Sequence, residues 1–212
     1  MPTATKRPYR KRYRAESEAQ TRQRITEAAV ELHGSVGPAR TTISAVADRA
    51  GVQRGTVYRH FPTEEDLFAA CSSHWRAQHP LPDLSAWATI ADPTERLCAA
   101  LRETYAWFAR GEAMLEKTTR DAALVPAMEG PRDVMLAWFE AAGEVVARGR
   151  PERGAQRRRV RAAIGHALSF ETWRSLVRAQ RLSEAEAVAL MAGLTESVGR
   201  PPGRSTPSQR SP

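Results

Sequence analysis

Thr41-Thr42-Ile43-Ser44-Ala45-Val46-Ala47-Asp48-Arg49-Ala50-Gly51-Val52-Gln53-Arg54-Gly55-Thr56-Val57-Tyr58-Arg59-His60-Phe61-Pro62 is the stretch on which the fold turns. Ile43, Val46, Ala47 and Ala50 recur at the spacing of one helical face, Thr42 stands ahead of them as an N-cap, and Gly51 closes the helix. Val52-Gln53-Arg54 then reads as a tight turn. Gly55 to His60 reads as a further short helix, pinned inward by Val57 and Phe61. Two short helices around a glycine-containing turn have the pattern of a helix-turn-helix. Many small helical proteins contain such hairpins, so periodicity alone describes a shape and leaves its use open.

Working outward, Ile25, Ala28, Ala29 and Leu32 mark a preceding helix that Gly34 or Gly37 can stop. Downstream, Thr63 with Asp66 predicts a capped helix to about Ala77, followed by a loop at Pro80, Pro82 and Asp83. Asp92, Pro93 and Glu95 stand in the preferred order for the start of a helix, expected to end before Gly111. Further helices are predicted from Glu112 to Val125, from Pro131 to Arg148, from Gln156 to Gln180, and from a Ser183–Glu186 capping box to Gly199. The 36 alanines against four isoleucines favour this helical reading. The expected architecture is all-α, with about nine helices, no strand and no internal repeat. Gly199 to Pro212 holds four prolines and little to bury, and reads as a disordered tail.

Composition narrows the function. No run of about 18 apolar residues exists, and the N-terminus lacks the apolar centre of a signal peptide, so a cytoplasmic chain without a membrane span is expected. Cys71 and Cys98 are too few for a disulfide framework and read as packed thiols. The net charge of +8 is unevenly divided. Residues 1–24 carry eight Lys/Arg against two Glu, 25–147 carry eleven against seventeen acids, 148–161 carry seven against one, and 162–212 carry six against four. The run Lys6-Arg7-Pro8-Tyr9-Arg10-Lys11-Arg12-Tyr13-Arg14 suits a flexible arm that condenses onto phosphates or a narrow minor groove. Nucleic acid is the implied partner, with a solvated terminus as the plainer alternative. For the second basic segment, an anionic effector, a second DNA segment and an acidic patch on a partner subunit all remain open.

The quoted stretch closely resembles the DNA-binding motif of the tetracycline-repressor (TetR) family of bacterial regulators. The shared features are the Thr41-Thr42 start, the Ala50-Gly51-Val52 turn, the Gly-Thr-x-Tyr-x-His-Phe run over 55–61, and Glu65-Asp66-Leu67 after it. The resemblance covers residues 17 to about 75. It implies a DNA face in which Gln53 and Arg54 stand at the groove-entering end of the recognition helix, Arg54 suited to a guanine and Gln53 to an adenine edge or a phosphate. Gly55 would let the backbone approach. Thr56, Tyr58 and His60, with Arg59 beside them, match positions that grip the sugar-phosphate backbone, and Thr42 and Ser44 match phosphate-contacting positions. Arg10, Lys11 and Arg12 of the arm are added as phosphate or minor-groove contacts. One departure stands out: many relatives carry lysine where this chain has Glu64, followed by Glu65 and Asp66.

The family pattern divides the chain into a basic arm (1–16), a helix-turn-helix domain (17–63), a larger helical effector-binding and dimerisation domain (64–198), and a tail (199–212). It implies a homodimeric repressor on a palindromic operator, released by a small molecule. The partner surface would be the last two helices, through Ile164, Leu168, Phe170, Trp173, Leu176, Val177, Val188, Leu190, Met191 and Leu194. Trp75, Tyr105, Trp107, Phe108, Met114, Met128, Met135, Trp138, Phe139 and Phe170 are either core or the lining of an apolar effector pocket. His166 is the candidate buried polar group there. No cofactor is implied. Cys71, His74 and His79 invite a metal reading, but a third ligand falls beyond the predicted helix end, so no metal is expected. No phosphate loop, nucleophile elbow or paired-carboxylate motif supports an enzyme. The rival readings are a non-specific, architectural DNA-binding protein and a regulator without a ligand.

Overall fold

The computed structural model describes residues 6–199, and side chains from Arg12 onward. Among these residues every regular element is helical: α1 (Lys6–Ser35), α2 (Ile43–Ala50), α3 (Arg54–His60), α4 (Glu64–Gln78), α5 (Leu84–Ala88), α6 (Pro93–Asp121), α7 (Glu129–Ala147), α8 (Gly154–Ala167), α9 (Phe170–Arg174) and α10 (Glu184–Gly199). Short 3-10 turns occupy Pro38–Arg40 and Pro126–Met128, and one π turn, Ser175–Ala179, follows α9. The tail expected beyond Gly199 lies outside the described residues.

The chain forms two compact units. One contains residues up to Leu81 together with Phe108–Ala137; the other contains Pro82–Trp107 and the residues from Trp138 on. In the first unit, Ile25, Ala28 and Ala29 of α1, Val46, Ala47 and Ala50 of α2, Val57 of α3, Phe61, and Leu67 and Cys71 of α4 form one buried cluster. The α2 and α3 helices have eight and seven residues, too short to persist alone, so this shared burial is what holds them. Thr42 caps α2 by accepting the Ala45 amide at 3.1 Å, and Gly51 ends it at φ 65°. The Thr63–Asp66 box caps α4 reciprocally.

The second unit is built around Trp87, Leu97, Leu101, Tyr105, Trp107, Ile164, Leu168 and Trp173, all essentially fully buried. α8 packs against α10. Tyr105 donates its hydroxyl to the Ala167 carbonyl at 2.9 Å, and Trp87 donates its indole N–H to Glu103 at 3.0 Å.

Several boundaries differ from the sequence reading, each for a packing reason. The expected flexible arm is helical from Lys6, because Ala, Arg, Glu and Gln support a helix and Arg12 pairs with Glu16 one turn on, at 2.9 Å. Residues 1–5 lie outside the described residues. The two helices expected to meet at Gly111 are one, α6: Gly111 is a packing site, since a Cβ there would stand 3.0 Å from the Trp75 ring. α5 replaces part of the expected loop, capped by Asp83 through the Ser85 amide at 2.8 Å. The long helix expected over 156–180 breaks at Leu168–Ser169, where Ser169 caps α9 through the Thr172 amide. His166, expected to be buried, is exposed and lies 3.3 Å from the Thr172 hydroxyl.

A polar latch fixes the path from α1 into α2. Asp121, 2% exposed at the end of α6, accepts the Ala39 amide at 3.0 Å and the Arg120 guanidinium at 2.6 and 2.9 Å. The Arg120 guanidinium also donates to the Val36 carbonyl at 3.1 Å. Gly37 crosses this latch at φ 99°, where a Cβ would run into the Arg120 and Asp121 side chains. Gly37→Ala is therefore expected to cost about 1–3 kcal/mol in chemical denaturation. Gly34→Ala, whose methyl would meet only Met114 Cε at 3.5 Å, should be neutral or slightly stabilising. Chiefly the Arg120 hydrogen bond, and then the Ala39 amide, hold the Asp121 carboxyl below the usual range. Its stabilisation is then complete above its unfolded pKa of about 3.9 and lost as pH falls through the lower folded value. Asp121→Asn should flatten that acid limb.

Candidate nucleic-acid interface

The sequence reading grouped Thr42, Ser44, Gln53, Arg54, Gly55, Thr56, Tyr58, Arg59 and His60, and all lie on α2, α3 or their caps. Gln53 is the N-cap of α3, with its carbonyl accepting the Thr56 amide at 2.8 Å. Its side chain makes no capping bond. Gln53, Arg54, Gly55 and Arg59 are exposed, and Thr56 is half-buried. Tyr58 is 46% exposed, so this ring is not consumed by packing between helices. Arg54, at the first position of α3, combines an exposed guanidinium with the amide-rich end of a helix, both attractive to anions.

Thr42 serves twice over. Its hydroxyl oxygen accepts the Ala45 amide, which leaves the hydroxyl proton available to an acceptor outside the protein. Ser44, one residue into α2, is half-buried. Arg49 is exposed and pairs with Glu31 of α1, donating to the carboxylate at 2.7 Å.

The end of α3 is held by a residue that sequence reasoning did not single out. Arg22 of α1 lies over the Phe61 ring, 4.0 Å from its centroid, and donates to the His60 carbonyl. Its only sequence signal was its place one turn before Ile25 on the face of α1 that meets α2 and α4. His60 is half-buried, with Nε2 covered and without a hydrogen-bond partner among the described residues. Burial, then the neighbouring Arg59 and Arg22 charges, lower its pKa against a smaller opposing effect of Glu18. These effects favour the neutral imidazole. Glu64, Glu65 and Asp66 are exposed at the start of α4, where they suit the helix dipole and Asp66 completes the cap. Of the basic arm, Arg12 is exposed; the side chains of Arg10 and Lys11 lie outside the described residues.

The remaining candidates fall in both units. Trp75, Phe108 and Met128 are buried in the first; Tyr105, Trp107 and Phe170 are buried in the second, where Trp138 and Phe139 are half-buried and meet edge to face at 4.9 Å. Trp87, missed in the sequence because Pro80, Pro82 and Asp83 read as loop, meets Trp138 edge to face at 5.9 Å. Met114 and Met135 are half-buried. Cys71 is buried with Sγ 3.8 Å from the Thr26 carbonyl, and burial pushes its thiol pKa up to about 12. His74 lies within hydrogen-bond range of Gln78, and His79 stacks on Trp75. No group of three metal-ligating side chains occurs among the described residues. No described helix is long and apolar enough to cross a membrane.

Residues 25–71 match the family described as bacterial regulatory proteins, tetR family. Over 75 residues, a third of this chain (33%), the sequence is 41% identical to the HTH-type transcriptional regulator SrpR of Pseudomonas putida, covering 34% of that protein. Over 74 residues, 35% of this chain, it is 36% identical to a probable acrEF/envCD operon repressor of Escherichia coli K12, covering 32% of it. The chain thus matches about a third of the length of these curated relatives. The fold is similar to that of NalD, the secondary repressor of the MexAB-OprM multidrug efflux pump in Pseudomonas aeruginosa. The TM-score is 0.56 at 21% identity, over 86% of this chain and 97% of that one.

Arg22→Ala removes the cation-π contact and the bond to the His60 carbonyl. It is expected to lower stability by about 1–2 kcal/mol, measured as a shifted denaturation midpoint. Arg22→Lys should recover only part of this, because the planar guanidinium that stacks on Phe61 is lost.

Proposed function

We propose that the chain, whose residues 25–71 match the tetR family of bacterial regulatory proteins, is a sequence-specific transcriptional repressor acting as a homodimer on a palindromic operator. The observation that carries this reading is the exposed row Gln53, Arg54, Tyr58 and Arg59 on a short helix fixed from behind by Val57 and Phe61. Residues 17–63 act as the DNA-binding domain. Arg54 reads a guanine by a bidentate contact, and Gln53 reads an adenine edge or holds a phosphate. Thr42, Ser44, Thr56, Tyr58 and His60 fix register on the sugar-phosphate backbone. The helical start of α1, with Arg10, Lys11 and Arg12, supplies phosphate contacts in place of the lysine that Glu64 replaces.

Residues 64–198 carry dimerisation and effector binding. One helix-turn-helix reads too few base pairs for useful specificity, so two copies spaced by about one helical turn of DNA are required. Leu190 and Leu194, 42% and 50% exposed one turn apart on α10, support α10 as part of the partner surface. Ile164, Leu168, Trp173, Val188 and Met191 are buried within the subunit and stabilise the helices that present it. Trp138 and Phe139, half-buried and aromatic, suit contact with an apolar or planar effector. NalD, similar in fold, is the secondary repressor of a multidrug efflux pump, which favours a small-molecule response here. The protein works on chromosomal DNA in the cytoplasm.

Selection of bound sites from random DNA, followed by footprinting, tests the reading. A palindromic footprint protected by a dimer is expected; affinity indifferent to sequence and steep in salt would instead identify a non-specific DNA-binding protein. Arg54→Ala should cost about 1–3 kcal/mol on the selected site and relax preference at one base pair per half-site. Thr42→Ala should weaken all sites alike. Deleting residues 1–14 should weaken binding and reduce its salt slope, and an unchanged slope would remove the arm from the interface.

A further inference from the structure

The second basic segment, left without a role by operator binding, folds into a cleft. Where α7 ends and α8 begins, a concavity of about 490 Å³ is lined by Glu144, Arg148, Arg150, Glu152, Arg153, Arg157 and Arg161, with Ala147, Gly149, Pro151 and Val160 between them. That volume suits a small molecule. Five guanidiniums share it with two carboxylates. Glu144 is already engaged by Arg161, which donates to it at 2.8 Å.

The cleft is built, not a loop that happens to be charged. Arg96, buried on α6, donates to the Arg148 carbonyl at 2.7 Å. Arg150, its side chain only 6% exposed, lies 2.8 Å from Glu196 of α10 and donates to the Pro93 carbonyl at 3.3 Å. Its Nε is buried with no hydrogen-bond partner among the described residues. Gly149, at φ 77°, turns the chain between these anchors. Two elements, α6 and α10, therefore pin the segment that carries Arg148, Arg153 and Arg157, and these three are exposed without an ion pair among the described residues. Arg153 is the N-cap of α8 and makes no side-chain capping bond, so the first amides of the helix add to the positive field. Burial, and then the nearby Arg148 and Arg150 charges, lower the Arg96 pKa, in keeping with the crowded positive charge at this corner. Like charges held together on a fixed frame are unfavourable until an anion joins them, and guanidiniums suit multidentate recognition of phosphate or carboxylate oxygens.

We propose that this cleft is a binding site for a small, multiply charged anion, a phosphate- or polycarboxylate-bearing molecule, held by Arg148, Arg153 and Arg157 at the N-terminus of α8. The concavity, about 490 Å³ and confined to one corner, favours a compact ligand over a second DNA segment, which would need cations spread along an extended surface, and the site does not depend on operator binding. The probes are inorganic pyrophosphate and citrate, titrated calorimetrically into the full chain at fixed ionic strength. One saturable site per chain is expected for at least one of them. Arg153→Gln/Arg157→Gln should weaken it at least about tenfold, and Arg148→Gln serves as a second variant should the double one unfold. Arg158→Gln/Arg159→Gln, on exposed positions of α8 outside the lining, should leave affinity within about twofold. Preference between the probes separates phosphate from carboxylate chemistry. Absence of saturable binding, equal losses in both double variants, or displacement of the probe by a short random DNA duplex would overturn the proposal.

Discussion

The burial of Val57 and Phe61 is the constraint on which the exposed face of α3 depends. A helix of seven residues forms too few internal hydrogen bonds to offset its own nucleation. It exists because these two side chains, 0% and 2% exposed, insert among Ile25, Val46, Ala47 and Leu67. Each is worth roughly 1.5–3 kcal/mol of apolar burial, a large share of the stability of a small domain. The direction of Gln53, Arg54 and Tyr58 follows from that insertion. At about 100° of rotation per residue, burying Val57 turns Gly55 and Arg59 to the opposite side of the helix and leaves Arg54 and Tyr58 on its exposed flank, so the inward residue fixes the phase of the outward ones. Arg22 closes the arrangement from outside by covering the Phe61 ring.

A second constraint reaches the same small domain from far along the chain. The Asp121 carboxylate holds the Ala39 amide, 82 residues away in sequence, at the turn that launches α2. It is a buried anion with three donors, so neither its position nor that of the turn can move without leaving a charge unpaired. The glycine beside it is part of the same geometry: only a residue without Cβ passes the Arg120–Asp121 pair at positive φ. The orientation of α2 is thus set at its start by this latch and along its length by the apolar cluster.

What the sequence made legible was local. Thr42, Thr63, Asp92 and Ser183 each accept amides two or three residues downstream, so their signals lie within one turn and needed no tertiary knowledge. The exposed positions on α3 were legible for the same reason, because Val57 and Phe61 fix the helical phase. What depended on distant partners was not legible. Gly111 has the residue type of a helix stop but sits inside α6, since Trp75 requires the space of its missing side chain. Trp87 stood in a run that reads as loop, yet it is fully buried and bonded to Glu103. His166 lay in an apolar neighbourhood of sequence but falls on the outward side of α8, because the chain breaks two residues later for the Ser169 cap.

Charge shows the same division between local and tertiary information. A count of basic residues predicts attraction to anions, but not whether the charges diverge or converge. Along α1 they follow a helix, and Arg12 spends its charge on Glu16 within a turn; such a surface offers a sequence-tolerant attraction. Between α7 and α8 the backbone reverses at Gly149 and is anchored by Arg96 and Arg150, so arginines from Arg148 to Arg161 line one concavity. Convergence changes the physics, because repulsion among neighbouring guanidiniums favours a ligand that brings several negative groups together. The two basic segments, alike in composition, are therefore suited to different partners: an extended polyanion for the first and a compact one for the second.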